Sequence, residues 1–238
     1  MTKKQTLIAY HGDPAIKAKY IERVQRHRLA DELIRGIGWD GHKGCAVGCT
    51  LEKYDHAAYE TELGIPRSIA RLEDGLFESL PVDLAMAWPE RFLAAIAPGA
   101  DLSLVMSRWF VWMLTDSVDG VIQYARTERS QKSIQRVSDL YQRKIAGGNI
   151  EIKEWRAAAA AAYAAAVAYA AADADAAAYA AAAAYVAAAA DAAAADAAAA
   201  DAAVAAYVAC AADSATAALR PQLQAIVVRA IMAACAVQ

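Results

Sequence analysis

Apolar residues recur at helical spacing from the start of the chain. Asp13 and Pro14 have the character of an N-cap and a first helical residue. One face then carries Ile16, Tyr20, Val24, His27 and Ile34. Gly36 stands where a glycine commonly ends a helix. The pattern therefore predicts a first helix over residues 13–35.

Further helical segments follow, each bounded by proline, glycine or a capping side chain. The pattern predicts helices over residues 52–62, 66–79, 88–96, 102–114 and 128–146, with residues 121–125 continuing the fourth of them. We expect the inward side chains to be Ile69, Leu72, Leu76, Phe77, Ile134, Val137, Tyr141 and Ile145. The two candidate strands, residues 5–10 and 150–152, are too short to carry a sheet. The sequence predicts an all-α fold, a compact helical bundle.

The composition changes abruptly at residue 157. Alanine occupies 41 of the 56 positions in residues 157–212, and the others are almost only Tyr, Val and Asp. Alanine has the highest helix propensity, and no Gly or Pro interrupts the tract before Pro221. The tract fits either one long helix or two or three close-packed ones. We expect a helical region over residues 1–156 and an alanine-rich helical region over residues 157–238, packed together as one compact unit.

Two parts of the chain resemble known groups of proteins. The alanine tract with its Tyr and Asp residues is similar to alanine-rich helical repeats of predicted bacterial immunity proteins and of uncharacterised phage or prophage proteins. The segments HKGCAVGCT and ELGIPRSIARLED resemble uncharacterised bacterial proteins. The resemblance implies no activity. It implies a setting in which a phage anti-defence protein sequesters a host signalling nucleotide, or an immunity protein binds its partner.

Charge and cysteine usage narrow the possible partners. The chain carries 24 Lys and Arg against 27 Asp and Glu, a net charge of −3, which argues against duplex nucleic acid as a partner. The alanine tracts are too weakly apolar, and too often interrupted by Asp, for a membrane span. Four cysteines in 238 residues, with no secretory signal pattern, do not resemble a disulfide framework. We expect a cytoplasmic protein.

The segment GIGWDGHKGCAVGCT, residues 36–50, holds five glycines and two of the four cysteines. It allows several kinds of site. A zinc ion would be held by His42, Cys45, Cys49 and His56, because zinc takes four nitrogen or sulfur ligands. A Cys–His pair would make a thiol nucleophile. Glycine-rich backbone beside Lys43 would hold an anion. The remaining interpretation is a purely structural loop with no ligand, in which the cysteines pack as small hydrophobic residues.

Basic residues favour anion binding over a metal site, and the purely structural loop stays open as an interpretation. One cluster lies on the first helix and a second on the helix over residues 128–146, opposite its apolar stripe. A positive pocket would form if both clusters meet the glycine loop. The predicted ligand-binding residues are Arg23, Arg26, His27, His42, Lys43, Arg129, Lys132 and Arg136. His27 is also four residues from Asp31, an i, i+4 spacing at which a carboxylate fixes an imidazole.

These observations predict a non-catalytic binding protein that sequesters a small anionic, nucleotide-like ligand without a cofactor. The alternative is a protein-interaction module, such as an immunity or inhibitor protein, with a homo-oligomer as one form of it. An enzyme that depends on zinc or a cysteine is the third interpretation, and it would use the residues of the glycine loop.

Overall fold

The computed structural model describes residues 7–117, 120–125 and 127–167. Eight α-helices form these parts of the chain, in the order α1 (Pro14–Leu29), α2 (Ala46–Leu51), α3 (Ala58–Glu62), α4 (Arg67–Ser79), α5 (Val82–Ala95), α6 (Val105–Thr115), α7 (Glu128–Ile145) and α8 (Ile152–Val167). Short 3₁₀ turns span Ala9–Gly12 and Val121–Tyr124. Isolated bridges are the only β-pairing among the described residues, so the fold is all-α as predicted.

The helices group into two compact units, which divide after residue 105. In the first unit α5 packs against both α1 and α4, and α2 packs against α1 and α4. Its core is aromatic and aliphatic, with Trp88, Phe92 and Leu72 fully buried. Hydrogen bonds between distant segments also stabilise this unit. The Tyr10 hydroxyl, for example, donates a 2.7 Å bond to the Leu93 carbonyl.

In the second unit α7 packs along α8. A row of rings joins its helices: Phe110 stacks on Tyr141 with centroids 4.9 Å apart, and Tyr141 contacts Trp155 at 4.8 Å. The predicted inward side chains Ile134, Val137 and Tyr141 are buried. The helix α8 runs through residue 156 and into the alanine tract, where it confirms helix as far as residue 167. The rest of the predicted alanine-rich helical region lies outside the described residues.

Several helix boundaries differ from the sequence pattern. Asp13 caps α1 by accepting a bond from the Ala15 amide, as predicted, but the helix ends at Leu29 rather than at residue 35. Asp31 adopts a left-handed backbone with φ of 55°, and residues 32–34 then run extended beside residue 44. The chain leaves the helix because this extended path forms backbone bonds with the glycine loop.

The helix α5 begins at Val82 and contains Pro89, which the pattern placed at a helix start. A proline inside a helix removes one backbone hydrogen bond. Burial of Trp88, Phe92 and Leu93 outweighs that loss. None of the helices in the described ranges has the length and apolarity that crossing a bilayer demands.

Candidate functional site

A pocket of about 450 Å³ lies in the first unit where α1 ends. It is bordered by the C-terminal turn of α1, the glycine loop and the residue that follows α2. Its lining consists of Arg26, His27, Ala30, Glu32, Trp39, Gly41, His42 and Glu52. Three of the predicted ligand-binding residues, Arg26, His27 and His42, therefore line one pocket.

The path of the glycine loop places its side chains in this pocket. The Ile34 amide donates to the Gly44 carbonyl and the Gly44 amide donates to the Glu32 carbonyl, which fixes the two ends of the loop side by side. Between these ends, Asp40 accepts bonds from the amides of His42 and Lys43 and closes a tight turn. The turn projects Trp39 and His42 toward the end of α1.

Glycine at position 48 is required by close packing. A Cβ atom there would overlap the carbonyl oxygen of Gly38. Gly48 lies inside α2, so the loop backbone rests directly on that helix. The Cys45 amide bonds the same Gly38 carbonyl at 3.2 Å. The loop is thus held by its own glycines and amides, which is the structural role that the sequence allowed.

His27 is the central side chain of the pocket. It is 5% exposed, and its Nδ1 lies 2.5 Å from Glu32 Oε2. The Trp39 ring contacts the imidazole edge to face, with centroids 5.5 Å apart. Its Nε2 is buried and makes no hydrogen bond, and the Glu52 Oε1 atom lies 3.6 Å away. Helical spacing predicted Asp31 as the carboxylate partner of His27. That prediction is wrong, because α1 ends before Asp31.

Two carboxylates join the basic groups of the pocket. Glu32 also contacts His42, with 3.1 Å between Oε1 and Nε2. Glu52 accepts from Arg26 at 2.9 Å and lies 3.6 Å from Arg23, whose guanidinium also donates to the Thr50 carbonyl. The pocket is therefore a mixed-charge site rather than a uniformly basic one. Sequence reasoning missed Glu32, Glu52 and Trp39, because no motif or helical spacing connects them with His27.

The other predicted ligand-binding residues are not among those that line the pocket. Lys43 is exposed in the glycine loop but does not line the pocket. Arg129, Lys132 and Arg136 are exposed on α7 of the second unit, where Lys132 forms an ion pair with Glu128 at 2.6 Å. Convergence of the three basic side chains of α7 with the pocket stays a prediction.

The structure does not bring the four predicted zinc ligands together. His42 contacts Glu32, and the Cys49 thiol donates to the Gly44 carbonyl at 3.3 Å. His56 lies instead beside Asp74, with 3.0 Å between Nε2 and Oδ2. Among the residues described, the group whose ligand atoms all lie within 4.8 Å of one another is Cys45, Asp74 and Glu78.

Neither cysteine of the loop has the character of an activated nucleophile. Burial raises the pKa of the Cys49 thiol to about 12. Burial, followed by the adjacent Asp74 carboxylate, raises the pKa of Cys45 far above its ordinary value, although the amides of Val47 and Gly48 oppose that shift. Nucleophilic thiols need a lowered pKa. The site thus offers hydrogen-bonding and charged groups rather than a free thiolate.

Comparison of the chain with protein-family models, with curated proteins and with solved structures finds no match.

Proposed function

We propose that the pocket at the end of α1 binds a small polar molecule that carries an anionic group. The observation that carries this proposal is the Nε2 atom of His27, which is buried in the pocket wall without a hydrogen-bond partner. A buried polar atom left unpaired costs about 1–3 kcal/mol. A ligand group that bonds this nitrogen recovers that free energy, so the pocket is complementary to a polar ligand.

Arg26 supplies the contact for the anionic group. Its side chain is 64% exposed, and its partner Glu52 is 42% exposed. Ion pairs between exposed side chains contribute only about 0–1 kcal/mol, so exchanging Glu52 for a ligand phosphate or carboxylate has little cost. An arginine fork holds such groups through two parallel bonds.

The size of the pocket and the ring of Trp39 suit a nucleotide-like ligand. A cavity of about 450 Å³ falls in the range typical of small-molecule sites. Trp39, half-buried beside His27, adds an aromatic wall that favours a planar group. His42 lines the pocket and is 76% exposed, so its contact with Glu32 can be exchanged for one with a ligand at little cost.

The contact between His27 and Glu32 favours one second candidate, general-base chemistry on the bound molecule. A carboxylate at Nδ1 fixes the tautomer and leaves Nε2 to accept a proton, which is the arrangement a general base requires. Among the described residues, none that lines the pocket is Ser, Thr or Cys, so the reacting group would be water or the ligand itself.

Isothermal titration calorimetry with nucleoside monophosphates, diphosphates and cyclic nucleotides tests the proposal. We expect Arg26→Ala to weaken the binding of a responding ligand by about 10- to 100-fold, because a charge-assisted bond is lost. Arg28→Ala is the matched control, since Arg28 lies on the same helix and pairs with Glu90 outside the pocket. Equal losses in both variants, or no binding of any ligand in the panel, would refute the proposal.

The same ligand separates binding from catalysis. Incubation with the protein, followed by mass spectrometry of the small molecule, shows whether the ligand is consumed. If the pocket only binds, the ligand is recovered unchanged. If His27 acts as a base, turnover is abolished in His27→Gln while the Arg26 contact still supports binding.

A further inference from the structure

A second group of side chains lies between α2 and α4, separate from the pocket lining. Cys45 directly precedes α2, and Asp74 and Glu78 lie one turn apart on α4. One ligand atom from each of the three lies within 4.8 Å of the others. The geometry points to a divalent metal site, of the zinc class, formed by Cys45, Asp74 and Glu78.

Asp74 provides the independent observation that a ligand is missing. The residue is 7% exposed. Its Oδ2 atom accepts bonds from the Tyr54 hydroxyl at 3.2 Å and from His56 Nε2 at 3.0 Å. Its Oδ1 atom is buried and makes no hydrogen bond. One oxygen is therefore held in place by its neighbours while the other is left for a cation.

The second carboxylate is oriented as well. Both oxygens of Glu78 accept bonds from the Gly36 amide, at 3.1 and 2.9 Å. The buried Cys45 and Asp74 and the half-buried Glu78 would repel one another if all three were ionised. A bound cation would remove the repulsion and stabilise the ionised thiol as well.

The donor atoms indicate which metal fits. A thiolate with two carboxylates suits zinc, which accepts sulfur and oxygen ligands, whereas magnesium and calcium prefer oxygen alone. Three protein donors leave the fourth tetrahedral position to solvent or to a further ligand. Hydrogen bonds from neighbours to metal-binding carboxylates are a general feature of such sites, and His56 and Tyr54 supply them here.

Cobalt substitution of the full-length chain tests the thiolate ligand directly. The protein is stripped with a chelator, and cobalt and zinc are then titrated separately. We expect about one equivalent of zinc to bind tightly. With cobalt we expect a thiolate-to-cobalt charge-transfer band in the near ultraviolet. The band is expected to vanish in Cys45→Ser. It should persist in Cys49→Ser, the matched control, and in the double variant Cys210→Ser with Cys235→Ser.

Two further variants keep the test decisive if Cys45→Ser does not fold. We expect Glu78→Gln, at a half-buried position, to weaken zinc binding by more than 10-fold. His56→Gln, which alters only the positioning of Asp74, should weaken it by about 10- to 100-fold and leave the cobalt band in place. The inference is overturned if the wild-type chain binds no zinc, if bound cobalt shows no thiolate band, or if both variants bind zinc as the wild type does. Arg26→Ala should leave zinc binding unchanged, so failure of this site is distinguishable from failure of the pocket.

Discussion

Glu73 offers a measurable consequence of how the first unit is built. Its side chain is fully buried on α4, where Oε2 accepts a 2.6 Å bond from the Tyr59 hydroxyl and Oε1 makes no hydrogen bond. Burial raises the pKa of this carboxyl well above its ordinary value, the bond from Tyr59 lowers it in part, and the adjacent Asp74 raises it. We therefore expect Glu73 to retain its proton in the folded chain at a pH where the unfolded chain has lost it.

The sign of the pH dependence follows from that difference. Between the unfolded carboxyl pKa of about 4.3 and the raised pKa of the folded state, Glu73 keeps in the folded chain a proton that it has lost in the unfolded chain. The contribution of Glu73 to the free energy of unfolding then falls by about 1.4 kcal/mol for each unit of rising pH.

Glu73→Gln removes the titration while keeping an oxygen that accepts the Tyr59 bond. Buried amide hydrogens give this variant a fixed cost. That cost does not vary with pH, so the variant should gain on the wild type as the pH rises, by up to about 1.4 kcal/mol per pH unit below the raised pKa of Glu73. Urea unfolding at pH 5, 6 and 7 with a chelator present, followed by tryptophan fluorescence, measures both chains.

Tyr59→Phe serves as the companion variant. It removes the donor that lowers the pKa of Glu73, so the falling region of the stability curve should extend to higher pH than in the wild type. A constant difference between Glu73→Gln and the wild type from pH 5 to pH 7 would refute the reasoning, since it would mean that folding does not change the protonation of Glu73.

Two further substitutions test the loop and a helix cap. Gly48→Ala should lower the free energy of unfolding by about 2–4 kcal/mol, because its Cβ displaces the Gly38 carbonyl. Gly41→Ala is the control, because Gly41 has a φ of 102° and no atom lies within 4 Å of the position of an added Cβ. This variant should lose only about 1–2 kcal/mol, as backbone strain. Equal losses of unfolding free energy for Gly48→Ala and Gly41→Ala in chemical denaturation would contradict the close-packing explanation. Thr127→Ala should lower the free energy of unfolding by about 1 kcal/mol in the same assay, because the Thr127 hydroxyl caps α7 by accepting a bond from the Ser130 amide. An unchanged denaturation midpoint would show that this cap contributes nothing to stability.

The helices that the sequence predicts well are those with one apolar face. α4 and α7 occupy nearly their predicted ranges, because their buried side chains recur at helical spacing and polar residues cover the rest. α2 is the opposite case. All six of its residues are buried, it contains Gly48, and all but its last residue lie within the segment that glycine content marked as loop. Tertiary contact overrides propensity there, and no pattern along the chain indicates it.

The residues of the candidate site likewise divide into those that the sequence predicts and those that it does not. The basic residues Arg26 and His42 were identifiable from charge and loop composition, and the pocket does contain them. Glu32, the partner of His27, was not identifiable from the sequence, because the contact depends on α1 ending at Leu29 and on the chain turning back through Asp31. Carboxylates that join a site only after such a turn have no sequence spacing to identify them.

The glycine loop explains why both candidate sites lie in the first unit. Its Gly36 amide bonds Glu78, its middle carries Trp39 toward His27, and its last turn leads into Cys45 at the start of α2. Glycine is what permits a chain this short to lie on α2 while its two ends reach different side chains. The cysteines that first suggest a single metal knuckle are therefore divided by the backbone itself: the thiol of Cys49 bonds a loop carbonyl, and Cys45 lies beside the carboxylates of α4.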